Sequence, residues 1–178
     1  MIAAVEYAID RSNHPALLRQ ATGELAFAAP HPWIEADNAK AISLMTSRIL
    51  IRPHNPTPTF LPNVAIQYFD LGRTPPLHLG EVGTARDIAT LDTPAILSHS
   101  VTLAGALSQD EGTYLHHGRQ LHIRRSQLSY TTDTGNAYLS ILTSTSQAVD
   151  WRNLHTEFTA IEQLWFDSTI KTPTGTTL

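Results

Sequence analysis

The chain has 178 residues, of which 42% are hydrophobic and 16% charged, with a formal net charge of −4 and no cysteine. That length suits one core burying roughly two thirds of the unfolded surface, the apolar share excludes wholesale disorder, and the lack of a basic block excludes a general nucleic-acid or anionic-membrane surface. Without cysteine there is no disulfide, thiolate metal site or thiol nucleophile, and no window approaches the roughly 18 apolar residues of a membrane-spanning helix.

Met1 to Asp10 lacks a basic n-region and carries Glu6 inside its apolar run, so it does not read as a secretory leader. A cytoplasmic location is expected if the chain is complete, and an exported one if a leader preceded it. Residues 3 to 9 alternate loosely and fit a short strand or one helical turn. Asn13 to Gln20 fits a brief helical segment with Pro15 near its start. Glu24 to Ala29 reads as a strand stopped by Pro30 and Pro32, with Trp33 behind them capping a core. Ala41, Leu44 and Met45 share a helical face or lie in an irregular passage, and Ser47 to Arg52 is the next strand.

Pro53, Pro56 and Pro58 then forbid regular pairing and predict a surface loop. Pro62 to Phe69 is an internal strand, with Val64, Ile66 and Tyr68 on one face and Ala65, Gln67 and Phe69 on the other. A helix is expected over Leu79 to Leu91, weakened at Gly83. Strands follow over Ala95 to Ala106 and Gly118 to Thr131, with Asp110 and Glu111 placed in a turn between them as solvated acids. Leu121 and Ile123 have odd parity whereas Leu128 and Tyr130 have even parity. Either a β-bulge near Arg124 and Arg125 restores the phase, or the segment is two strands or a sheet buried on both sides.

The C-terminal part is the most regular. Asn136 to Ser144 is apolar and uncharged, as a central strand should be. In the helix that follows, Trp151, Leu154, Phe158, Ile161 and Trp165 step by three and four, forming one apolar stripe expected to lie across the sheet. The chain therefore reads as a single α+β domain over residues 1–170, an antiparallel sheet carrying helices, with a disordered tail at 171–178.

Chemistry is thinly signalled. His116, His117 and His122 invite a zinc or copper site, but a hairpin would send His116 and His117 to opposite faces, so no metal ligand is assigned. No positioning motif selects a nucleophile, histidine and acid, and no glycine-rich phosphate loop is complete. No catalytic residue and no cofactor are therefore assigned. Arg124 and Arg125 face opposite sides of a sheet, where Arg125 would grip a carboxylate of its own sheet or of a ligand.

Three stretches carry a family likeness. Phe27 to Trp33, Phe60 to Gln67 with its Pro-Asn-Val strand, and the ending from Gly118 through Asn136–Ser144 to Trp151–Phe158 resemble the PsbP-like superfamily. That superfamily groups photosystem II subunit P with the Ran-binding Mog protein and the actinobacterial LpqN-type lipoproteins, and the likeness is greatest to the LpqN-like branch. The resemblance implies an α/β/α sandwich with a central, mainly antiparallel sheet and a C-terminal helix packed across it. It also implies a binding or assembly role without catalysis, linked in bacteria to secretion or the envelope, as accessory protein or chaperone.

The leading expectation is thus a non-enzymatic factor with a protein partner, a homodimer being compatible with it. The partner would meet a sheet edge, or a groove beside residues 53 to 62 where Tyr68 or Phe69 receives a peptide. The alternative is a small-ligand binding or hydrolytic protein with a sheet–helix pocket lined by His99, His117 and Arg125. A closed, side-chain-filled interface would count against it.

Overall fold

The computed structural model describes residues 2–12, 15–20, 27–54 and 60–171. In chain order these form α1 (Ala3–Ser12), β1 (Leu17–Arg19), β2 (Ile34–Glu35), α2 (Asn38–Ser43), β3 (Arg48–Ile51), β4 (Asn63–Gly72), α3 (Arg86–Ala89), β5 (Ala95–Thr102), β6 (Leu107–His116), β7 (Arg119–Thr131), β8 (Ala137–Gln147) and α4 (Trp151–Lys171). Short 3-10 turns lie at Leu79–Glu81 and Leu103–Gly105. The strands make one sheet in the order β2-β3-β4-β8-β7-β6-β5, with β1 beside β4, and every pairing is antiparallel.

The helical stripe does what its spacing requires. Trp151, Leu154, Phe158, Ile161 and Trp165 of α4 are all buried, against Leu50, Val64, Ile66, Tyr68, Leu128 and Leu142 of the sheet. Polar groups at this interface are matched. Trp165 Nε1 donates to Ser140 Oγ at 2.7 Å, and Trp33 Nε1 donates to Glu157 Oε2 at 2.8 Å while its ring packs on Phe158. Arg52 grips the same carboxylate through Nε and Nη2, at 2.8 and 3.0 Å. That hydrogen bond holds Glu157 below the ordinary carboxylate value.

Among the described residues, the opposite face is covered only in part. α1 buries Ala3, Ala4, Val5 and Ala8 in a second cluster with Phe69, Leu71, Leu77, Leu79, Leu139 and Ile141. α3 adds Ile88, which is fully buried. This two-sided burial explains the parity break in β7. The register with both β6 and β8 runs without a shift, so there is no bulge at Arg124 and Arg125. His122, Arg124, Ser126 and Leu128 face α4, where His122 stacks on Trp151 and Arg124 meets Glu162 at 3.1 Å. Arg125 faces the other side and binds Asp87 of α3 at 2.9 Å.

Several expectations need correction. Of the strand or single helical turn expected at residues 3–9, the helix forms and runs longer, over Ala3–Ser12, because the small residues at 3, 4 and 8 close one face against the sheet. The helical segment expected from 13 to 20 is instead a strand from Leu17, pairing with β4 and held by Arg19 on Asp70 at 2.5 Å; residues 13 and 14 lie outside the described residues. Of the strand expected at 24–29, residues 24–26 lie outside the described set and 27–29 are irregular. The helix expected at 79–91 is broken, since Gly83 sits at φ +66 between the 3-10 turn and α3. β5 stops at Thr102 rather than at residue 106. Asp110 and Glu111 lie within β6, not in a turn, and Asp110 is completely buried. The tail expected to be disordered falls, from residue 172, outside the described residues.

Candidate functional site

Two surfaces stand out among the described residues. The first is the end of the second face near β3 and β4. Arg48 and Leu50 point to the α4 side, so Ile49 and Ile51 point away from it, opposite Ala65 and Asn63 of β4. α1 and α3 do not reach this end, and α2 stands only at its rim. The result is a groove of about 400 Å³ lined by Leu44, Ile49, Ile51, Leu61 and Ala65, with Lys40 at its mouth. Ile42, Leu44 and Met45, at the end of α2 where Leu44 lines the groove, are 51%, 56% and 72% exposed and give it an apolar rim. The rim is held in shape. Met45 has a left-handed backbone at φ 54, and its carbonyl accepts from Gln67 Nε2 at 2.8 Å.

The second surface is β5, the last strand of the sheet. Seven of its eight residues are exposed, and only β6 pairs with it among the described residues. Beneath it runs a polar chain. His99 Nδ1 meets Asp110 Oδ1 at 2.6 Å, Ser108 Oγ donates to Asp110 Oδ2 at 3.3 Å, and Thr84 and Ser108 hydroxyls are 2.5 Å apart. Asp110 thus orients the His99 ring from below. Further in, Arg125 links Asp87 and Thr143, and Asp87 also accepts the Ala3 backbone N–H at 2.8 Å. These charges are spent on one another, as buried ionic groups must be.

The five residues singled out from the sequence are not brought together. Tyr68 is under α4 at 1% exposure, and burial pushes its phenol up to about 12. Phe69 is buried on the opposite face in the α1 cluster. Neither is placed to receive a peptide in this conformation, because adjacent strand residues alternate between two covered faces. His99 sits on β5, Arg125 is committed to Asp87, and His117 is at the β6–β7 turn with φ 50. His116 and His117 stack edge to face at 4.2 Å in that turn. His122 lies inward against Trp151, hydrogen-bonded to Glu111 at 2.7 Å. The sheet–α4 interface is packed with side chains, and the polar lining expected for a pocket there, His99, His117 and Arg125, lies outside it.

In the sequence Ile49 and Ile51 read as ordinary strand positions and do not mark a groove. The available signal was that both faces of β3 are apolar although only one long helix follows.

These elements define an α+β sandwich, with one antiparallel sheet closed by a long C-terminal helix on one face and by short helices on the other. Among solved structures, LpqN of Mycobacterium tuberculosis, described as involved in cell envelope biogenesis, shares this fold. The TM-score is 0.62 at 13% sequence identity, covering 82% of this chain and 87% of that one. The Saccharomyces cerevisiae Ran-binding protein Mog1p aligns with a TM-score of 0.47 at 10% identity, over 88% of this chain and 93% of that one. No protein-family model matches the chain, and no curated protein does. The LpqN likeness is one of fold, and it bears out the fold expected from the sequence resemblance.

Proposed function

We propose that the protein is a non-enzymatic binding or assembly factor of the PsbP-like superfamily. Its groove at the open end of the second sheet face receives an apolar segment of a protein partner. The observation that carries this reading is the pairing of an apolar cavity, between Ile49, Ile51, Leu61 and Ala65, with the exposed rim of Ile42, Leu44 and Met45. Ile51 and Leu61 of the groove stand on either side of Pro53, Pro56 and Pro58 in the sequence.

Lys40 at the mouth favours a segment bearing a carboxylate next to its apolar side chains, because the charge pair would set register at the rim. Met45 adds an adaptable contact, as methionine does at binding surfaces. A role in the bacterial envelope or in secretion is compatible with this reading, and the description of LpqN supports it.

The test is a selection of binding peptides from a random library, followed by NMR mapping. Apolar peptides with an acidic residue should shift the amides of Ile49, Ile51 and Ala65, and Ala65→Arg should abolish binding while His99→Ala leaves it intact. Shifts confined to the His99 region, or binding unaffected by Ala65→Arg, would overturn the assignment.

A further inference from the structure

Edge strands of monomeric proteins are blunted by charge, by proline or by brevity, because an open row of backbone N–H and C=O groups otherwise pairs with another chain. β5 carries no charge and no proline within its eight residues, and the one other such device, a β-bulge, is confined to its start. Residues 93–109 contain no Asp, Glu, Lys or Arg, and Pro94 precedes the strand rather than interrupting it. Its one irregularity is a register shift against β6 between Ile96 and Ser98, which leaves Leu97 bulged outward at 57% exposure. The straight part is therefore Ser98–Thr102, with Ser100 at its centre.

The far end of the strand is unusual. Leu103, Ala104 and Gly105 all have left-handed backbones, at φ 51, 52 and 93. Two consecutive L-residues in that region cost about 1–2 kcal/mol each, and such strain is retained where surrounding structure enforces it. Gly105 is enforced by contact, since a Cβ there would fall 2.3 Å from the His78 ring. The turn leaves Leu103 53% exposed at the end of the strand.

We infer that β5 pairs with β5 of a second copy of this chain, antiparallel about a two-fold axis through Ser100. The two exposed leucines carry the choice of partner, since Leu97 and Leu103 stand three residues either side of Ser100. The axis brings Leu97 of each copy to the Leu103 end of the other, so each leucine is covered by its counterpart. Within the straight part, Ser98 falls opposite Thr102, His99 opposite Val101, and Ser100 opposite itself. No like charges meet. The two sheets become continuous, and both groove ends stay open for a partner, because β2 and β3 lie at the other end of the strand order.

The chain has no cysteine, so introduced thiols report this geometry without background. Ser100→Cys should give a covalent dimer under mild oxidation at least about tenfold faster than Ser98→Cys, because only facing positions fall within the ~4.4–6.8 Å Cα separation of a disulfide. The Ser98 pair would stand about 14 Å apart along the strand direction. Sedimentation of the unmodified protein should give about twice its 19.6 kDa mass. Leu97→Lys and Leu103→Lys should return it to the monomer with an unchanged far-UV circular dichroism spectrum. A monomer at all concentrations, equal crosslinking at positions 98 and 100, or a folded Leu97→Lys protein that stays dimeric would each overturn the inference.

Discussion

The left-handed turn that ends β5 can be probed by comparing two glycines. Gly118, in the β6–β7 turn, has φ +74 and nothing within 4 Å of an added Cβ, whereas Gly105 has φ +93 and would meet the His78 ring at 2.3 Å. Gly118→Ala therefore isolates the conformational cost, about 1–2 kcal/mol. Gly105→Ala carries a similar cost plus an overpacking penalty of about 1–3 kcal/mol. For a chain of this length each kcal/mol lowers Tm by about 2–4 °C, so Gly105→Ala should melt about 2–12 °C below Gly118→Ala. His78 is itself exposed, so His78→Ala alone should change little, yet it should recover most of the difference in the Gly105→Ala background. Thermal unfolding of the four-member cycle, followed by circular dichroism, reads the coupling directly. Equal melting of the two alanine variants with His78 in place, or no recovery on its removal, would refute the idea that the His78 ring is what excludes a side chain at position 105.

Further outcomes follow from the α4 interface. Trp165→Leu removes a fully buried ring and strands Ser140 Oγ, and should cost about 2–4 kcal/mol in urea unfolding. Glu157→Gln should cost about 1 kcal/mol, since its charged hydrogen bonds with Arg52 are partly exposed and screened. The Arg52 hydrogen bond holds Glu157 below its ordinary 4.5. Its stabilisation is thus complete above pH 4.5 and fades as pH falls through the lower folded value, a loss the glutamine variant should not show. For His122, burial drives the imidazole below 6.5 despite the Glu111 hydrogen bond. The unfolded chain then takes up its proton first, so stability should decline as pH drops from 6.5 through the folded value. His122→Phe, which keeps a ring on Trp151, should remove that part of the pH dependence in a melting series between pH 7.5 and 5.

Periodicity alone placed α4 and β8, because a stripe stepping by three and four and a strand without charge each admit one partner layer. It also placed β3, β4 and β7, and the opposite pointing of Arg124 and Arg125. The short elements were not legible this way. α1 has too few large apolar residues for a clear helical stripe, and β1 exists because Leu17–Arg19 lies along β4 with Arg19 on Asp70, a contact made across the fold. Asp110 reads as a solvated turn acid because its burial depends on β6 being a paired strand, with His99 of β5 opposite it.

The candidate surfaces follow the same division. The amino-acid order by itself determined that one face of the sheet would be sealed by Trp151 to Trp165, and that residues 93–109 would be uncharged. Only the tertiary structure decided where coverage ends. Whether Ile49 and Ile51 are core or groove depends on how far α1 and α3 extend across the sheet, and whether β5 is internal or an edge depends on strand order. Both are properties of neighbours distant in sequence, which no local pattern of side chains encodes.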